Sequence, residues 1–209
     1  MKKYFFIGTW IMMATITHAQ TKAVTETGDE VILYNDGTWK YSNDSILEKK
    51  TIQLNEAVFK KNTTSTFLVK STRVNVGIWI NPKDWSFEKS KDDEASEFQF
   101  QRKDEDLYGM LIAEKVEIPI ENLKEIALEN AKAAAPDIKL VKEEYRMVNG
   151  VKIFMMQMSG TVQGMKVTYL GYYYSSAGGT IQLLAYTSQN LFIGYFKDIE
   201  SFLNGFVVL

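Results

Sequence analysis

The chain holds one histidine, His18, and no cysteine. Those absences remove most side-chain catalysis before any fold is considered. A Ser-His-Asp triad or a Cys-His pair needs an imidazole or a thiol, and none exists beyond residue 18. The same shortage removes the ligands that zinc prefers, the thiols for a c-type haem and any disulfide. Carboxylates, thioethers, hydroxyls and aromatic rings remain. Met147, Met155, Met156, Met158 and Met165 are soft enough to hold copper(I). Strand alternation sends Met155 one way and Met156 with Met158 the other, so these sulfurs do not converge, and filling a core is their expected work.

Three further patterns have the right residues in the wrong place. Asp104-x-Asp106-x-x-Gly109 begins like a calcium loop, but loop position twelve is Lys115 where a carboxylate is required. Ser86-x-x-Lys89 has the spacing of a serine–lysine nucleophile pair, which works on a helix. In a strand the two groups point to opposite faces. Asp92-Asp93-Glu94 reads as a solvated charge run. The glycines between 160 and 164 lack the lysine and following helix of a phosphate loop. A carboxylate pair for hydrolysis is left open, because the fold alone sets such partners. No cofactor and no metal site is expected.

Aromatic residues give the remaining candidate surface. Tyr169, Tyr172, Tyr173, Tyr174 and Tyr186 cluster late in the chain, while Trp79 and Trp85 flank the turn at Pro82. Tyrosine and tryptophan suit binding surfaces because each couples apolar area to a polar tip. They are also ordinary strand residues. Trp79, Trp85, Tyr169, Tyr172 and Tyr174 form the candidate binding surface.

These side chains ride on a run of strands. Residues 139–148, 151–162, 165–175 and 180–187 are extended, and the joints between them are Asn149-Gly150, Gln163-Gly164 and Ala177-Gly178-Gly179. Glycine at each joint suits tight hairpins, so the four strands form an antiparallel meander. Their apolar residues alternate onto both faces, so both faces need cover. Two helices are expected to supply it. One spans 121–135 with Leu123, Ile126, Ala127, Ala131 and Ala134 in a stripe. The other spans 191–203, capped by Asn190 and lined by Phe192, Phe196, Ile199, Phe202 and Leu203. Upstream, extended runs at 65–70, 76–80, 85–89, 97–102 and 107–118 precede the first helix. Residues 97–118 read as a second meander, and residues 206–209 are expected to run back along the sheet.

The start of the chain reads as an export signal. Lys2-Lys3 leads into an apolar run from Tyr4 to Ile16, and Thr17-His18-Ala19 supplies small residues before a cleavage site at Gln20. The run is shorter than the ~20 residues of a spanning helix, so no transmembrane anchor is expected after cleavage. Two of the 24 basic residues and none of the 26 acidic ones lie in this segment. The remainder is mildly acidic, which argues against nucleic acid. A polar stretch at 20–26 precedes a hairpin at 30–41, with Asn35-Asp36-Gly37 as its turn. Residues 43–62 read as a connection with a strand near 51–54.

Two resemblances follow from this order. Val31, Leu33, Asp36-Gly37-Thr38-Trp39 and Tyr41 resemble a short motif of exported Bacteroidetes proteins, which implies no activity. From about residue 67 to 206 the chain resembles the PsbP-like family. The features are Trp85 after a turn, the strand Tyr108-Gly109-Met110-Leu111-Ile112-Ala113-Glu114, one helix, Glu143-Glu144, Asn149-Gly150 and the strand at 169–175. The arm at 178–187 and the ending Asp198-Ile199-Glu200-Ser201-Phe202 complete it. The resemblance implies an α+β fold, an antiparallel sheet covered by helices in an αβα sandwich, shared with a Ran-binding nuclear transport factor. It also implies extracytoplasmic or adaptor use without catalysis. Photosystem binding is not carried over, because no residue matches it. The expected organisation is a signal at 1–19, a hairpin and linker at 20–62 and the PsbP-like domain at 63–209. The expected role is a periplasmic or secreted, non-catalytic protein that binds another protein or assists assembly. The alternative is a module for a small apolar ligand or lipid in an aromatic- and Met-lined pocket.

Overall fold

The computed structural model describes residues 21–25, 30–42, 52–91 and 95–209. The expected export signal and residues 43–51 of the expected connection lie outside them. The chain divides into two compact units, 1–51 and 52–209.

In the first unit β1 (Thr21–Val24), β2 (Glu30–Leu33) and β3 (Trp39–Tyr41) form a three-stranded antiparallel sheet. The Asp36 carboxylate accepts from the Thr38 amide at 2.9 Å and its hydroxyl at 2.6 Å, which closes the β2–β3 turn. The first strand occupies residues read from sequence only as a polar stretch. Their alternation is too short to register, and pairing with β2 makes the strand.

The second unit is built on one eight-stranded sheet. Its strands are β4 (Leu54–Phe59), β7 (Trp85–Lys89), β8 (Phe98–Arg102), β9 (Leu107–Glu114), β10 (Lys139–Val148), β11 (Val151–Val162), β12 (Met165–Ser176) and β13 (Gly179–Ser188). They lie in the order β4-β10-β11-β12-β13-β9-β8-β7. The meander β10 to β13 forms its centre. Its first two turns place Asn149 and Gly150, then Gln163 and Gly164, at positive φ, the geometry that matches strand twist. The second meander is present as β8 and β9, and it joins the first because β9 pairs with β13. One expectation changes here. Strand β4, within the expected connection, pairs in parallel with β10, so the sheet begins well before residue 63.

Strand alternation splits the core in two. Met155, Tyr172 and Leu183 point to one face, and Met156, Tyr173 and Leu184 to the other. On the first face lies α2 (Phe192–Leu203), together with a small sheet ordered β14-β5 through β6: β5 (Phe67–Lys70), β6 (Val76–Ile80) and β14 (Phe206–Val208). The chain end therefore pairs with β6 and not with the large sheet. Asn190 does not cap α2: its N-cap is Leu191, with no side-chain bond. On the second face lies α1 (Ile120–Ala134), whose Leu123 and Ala127 pack with Phe154, Met156, Met158 and Leu184. A Lys124–Glu143 ion pair of 2.5 Å ties α1 to β10.

A buried cation fastens α2 to the sheet. The Arg146 Nε donates to Glu144 at 2.6 Å, while its Nη1 donates to Glu200 of α2 at 2.9 Å and to the Tyr172 hydroxyl at 3.2 Å. The Tyr172 hydroxyl donates onward to Asn204 at 2.7 Å, and the Phe59 ring of β4 faces the guanidinium at 4.3 Å. Four elements thus meet on one charge. Replacing Arg146 with methionine leaves Glu144 and Glu200 without their common partner and should cost about 3–5 kcal/mol, read by urea unfolding. Unchanged stability would show that the charge is dispensable. A Cβ at Gly205 would press into the Trp79 carbonyl oxygen. Gly205→Ala should therefore lose about 1–3 kcal/mol in the same assay.

Candidate functional site

The five aromatics expected to form one surface separate across the fold. Trp85 is 6% exposed and stacks on Phe202 with ring centroids 4.4 Å apart, and Tyr172 is 0% exposed within the Arg146 network. Both are core side chains, not surface. Tyr174 is half-buried against Phe206 on the same face. Trp79 sits on the small sheet beneath the Lys61 ammonium at 5.1 Å. Tyr169 alone reaches the opposite face. The period of two explains the separation, since Tyr169 lies an odd number of residues from Tyr172 and an even number from Tyr173.

Tyr169 has other company. Cross-strand pairing sets it opposite Tyr186, and Tyr186 opposite Tyr108. The centroids of Tyr169 and Tyr186 are 5.4 Å apart and those of Tyr186 and Tyr108 are 5.6 Å apart. The three half-buried rings make a row across β12, β13 and β9. The register continues through Gln101 on β8 to Ser86 on β7. Burial raises the Tyr169 and Tyr186 hydroxyls above the ordinary tyrosine value, so both remain proton donors at neutral pH. Tyr108 was the member missed from sequence. Its pairing with Tyr186 depends on β9 joining β13, which no local pattern announces.

Three clefts meet around β7. One, of about 310 Å³, is lined by Ser86, Glu88, Gln99, Gln101, Tyr108 and Tyr186. A second, of about 270 Å³, has Phe67, Ile80, Pro82, Trp85, Phe87 and Lys103 around it. The third, of about 180 Å³, is polar, with Asn62, Asn81, Asp84 and Asp198 among its lining. The first two share Ser86 and Phe87, and the last two share Ile80 and Trp85. β7 is also the final strand of the sheet, so this surface wraps an open edge.

The other chemical candidates gather at no one site, and Met147 and Met165 are exposed. Met155 belongs to one core and Met156 with Met158 to the other, so the sulfurs do not meet. Among the described residues, the two buried carboxylates serve the frame. Glu97 accepts from the Ser71 hydroxyl and from the Thr72 amide and hydroxyl. Burial pushes the Glu144 carboxyl up, but bonds from Lys142, Arg146 and Asn55 outweigh it and hold the group below the usual glutamate value. Ser86 and Lys89 lie an odd number of residues apart in β7 and so take opposite faces, as the strand reading required.

No protein-family model matches the sequence, and no curated protein matches it. Solved structures do. The chain is similar to cyanobacterial PsbP (CyanoP) from Synechocystis, with a TM-score of 0.55 and 15% identity over 71% of this chain and 95% of that one. The fold is therefore PsbP-like. A structure from Bacteroides thetaiotaomicron matches with a TM-score of 0.46 and 15% identity, over 69% of this chain and 49% of that one. LpqN of Mycobacterium tuberculosis, described as involved in cell envelope biogenesis, matches with a TM-score of 0.45 and 13% identity, over 68% of this chain and 88% of that one. Among the described residues no helix is long and apolar enough to cross a membrane.

Neighbouring tyrosines on β12 give a paired test of this accounting. Burial raises the Tyr172 hydroxyl to about 12, against the favourable pull of Arg146, and raises Tyr173 as well. Both stay protonated when folded at pH values where the unfolded chain ionises. Their contribution is whole below about pH 10 and is lost as pH rises towards 12. The Tyr173 hydroxyl has no partner, whereas the Tyr172 hydroxyl has two. Tyr172→Phe should cost about 1.5–3 kcal/mol at pH 7. Tyr173→Phe should be neutral or gain up to about 1 kcal/mol and should flatten the alkaline loss of stability. Equal losses from both variants in urea titrations at pH 7 and pH 11 would contradict the bonding.

Proposed function

We propose that this chain is an exported, non-catalytic PsbP-type domain that binds another protein through the surface around β7 and the tyrosine row. In this reading the second unit is an αβα sandwich, with α1 on one side of the large sheet and α2 with the small sheet on the other. The observation that carries it is the row Tyr169–Tyr186–Tyr108 at the edge of what α1 covers. Tyr108 and Tyr186 share a cleft with Gln99 and Gln101, so the row combines apolar area with neutral hydrogen-bonding groups, the composition of a protein-binding patch. Export rests on the pattern of residues 1–19.

A frame in which the buried Glu97 and Glu144 carboxylates are held in structural bonds supports binding over turnover. The Arg146 clamp and the two packed cores present the surface on a stiff support, which lowers the ordering cost of association. The alternative of a Met-lined ligand pocket is weakened by the geometry, because Met155 fills one core, Met156 and Met158 fill the other, and Met147 and Met165 are exposed.

The mature chain, cross-linked in cell-envelope extract and compared with a Tyr108→Ala/Tyr186→Ala variant, tests the reading. A partner captured by the wild type should fall at least tenfold with the variant, at a thermal midpoint showing that it is folded. A partner held equally by a folded variant would refute the assigned surface.

A further inference from the structure

The apolar cleft beside β7 has a polarity that specifies what enters it. Phe67 of β5 and Phe87 of β7 are 45% and 40% exposed, unusual for such large rings, and touch across the seam between the sheets at a centroid distance of 5.6 Å. Ile80, Pro82 and Trp85 complete the apolar lining. Among the described residues the one charged group in that lining is Lys103, whose ammonium donates to the Pro82 carbonyl at 2.8 Å and has two further protons to offer. Lys83 follows Pro82 in the exposed turn and adds a second positive charge. Of the nearby acids, Glu88 leans to the tyrosine side of β7, and Asp84 accepts from the Asn81 amide in the polar cleft.

The backbone favours an extended visitor. Ser90 donates to Glu97 and Lys103 to Asp84 across the β7–β8 pair. The antiparallel alternation between those points turns the N–H and C=O groups of Ser86 and Glu88 towards β8 and those of Phe87 outwards. The Trp85 amide also points away from β8, and it is satisfied by Asn81. Phe87 thus presents its backbone on an open edge, beside its own exposed ring.

Resting on the reading of this domain as a protein-binding module, we propose that the Phe67–Phe87–Lys103 cleft receives an extended segment of another protein with an apolar side chain flanked by carboxylates. The apolar side chain lies between the two phenylalanine rings, a neighbouring carboxylate meets Lys103, and the segment's backbone bonds to Phe87 as an added strand. Charge selects this occupant: the cleft sets a cation beside apolar walls, so an acidic apolar segment fits and a basic one is repelled.

The test uses the mature chain, labelled with 15N, and a capped heptapeptide with a central leucine flanked by aspartates. One control replaces the leucine with alanine and another replaces the aspartates with lysines. The parent peptide should shift the amides of Phe67, Phe87 and Lys103. Alanine should weaken binding at least fivefold, lysine should abolish it, and Lys103→Glu should reverse the charge preference. No shift at millimolar peptide, or equal binding of all three, would overturn the proposal. So would decanoate displacing the peptide at lower concentration, or peptide-free broadening at Phe67 and Phe87 that grows with protein concentration, which would give the cleft to a lipid or a second copy. Because none of these outcomes touches Tyr108 or Tyr186, the tyrosine surface stands or falls separately.

Discussion

Arg146 puts a full charge where only 4% of its side chain meets water, and the fold is arranged around satisfying it. An unpaired guanidinium in that position would be costly, whereas here two carboxylates, a phenol and an aromatic face surround it. Its partners come from different parts of the chain: Glu144 beside it, Tyr172 on β12, Glu200 on α2 and Phe59 on β4. Each must be in place before the others are worth their desolvation. That mutual requirement docks α2 in one position, and α2 in turn carries the Asn204-Gly205 exit that leads β14 back to β6. Asn149 adds a second fastening here, donating to the carbonyls of Asn204 and Phe206 at 2.8 Å each.

The opposite face is held more lightly, and its chemistry follows from that. Helix α1 is rich in alanine and meets the sheet through Leu123 and Ala127, with the ion pair to Glu143 as its polar tie. A single helix shields the sheet locally, and an eight-stranded sheet is wider than one helix. The strands farthest from β10 carry Ser86, Glu88, Gln99 and Gln101 on that face, residues that tolerate water. Tyrosine suits the border between them, since its ring can pack while its hydroxyl stays hydrated.

The edge strand β7 joins these two environments. Trp85, at its start, is sunk into the core against Phe202, while Phe87, two residues on, is left half in solvent beside Phe67. An exposed sheet edge carrying an aromatic ring invites pairing, and natural sheets usually blunt such edges with charge. Lys83, Lys89 and Lys103 provide that charge. The same lysines that discourage self-association select an acidic partner over a basic one.

Much of this was legible before folding because it depends on local rules. The absence of thiol and imidazole beyond His18 removed whole classes of chemistry. The Asn-Gly and Gln-Gly joints marked the central hairpins through their need for positive φ, and alternation already divided Met155 from Met156. The helical stripe of Leu123 and Ala127 announced α1 by its period. What tertiary structure decided is everything that rests on pairing between distant segments: β9 against β13, β4 against β10, β14 against β6. Those contacts bring Tyr108 to Tyr186, Phe67 to Phe87 and Glu200 to Arg146. Local periodicity tells a side chain which face it takes, but only long-range strand order tells it which neighbour it meets.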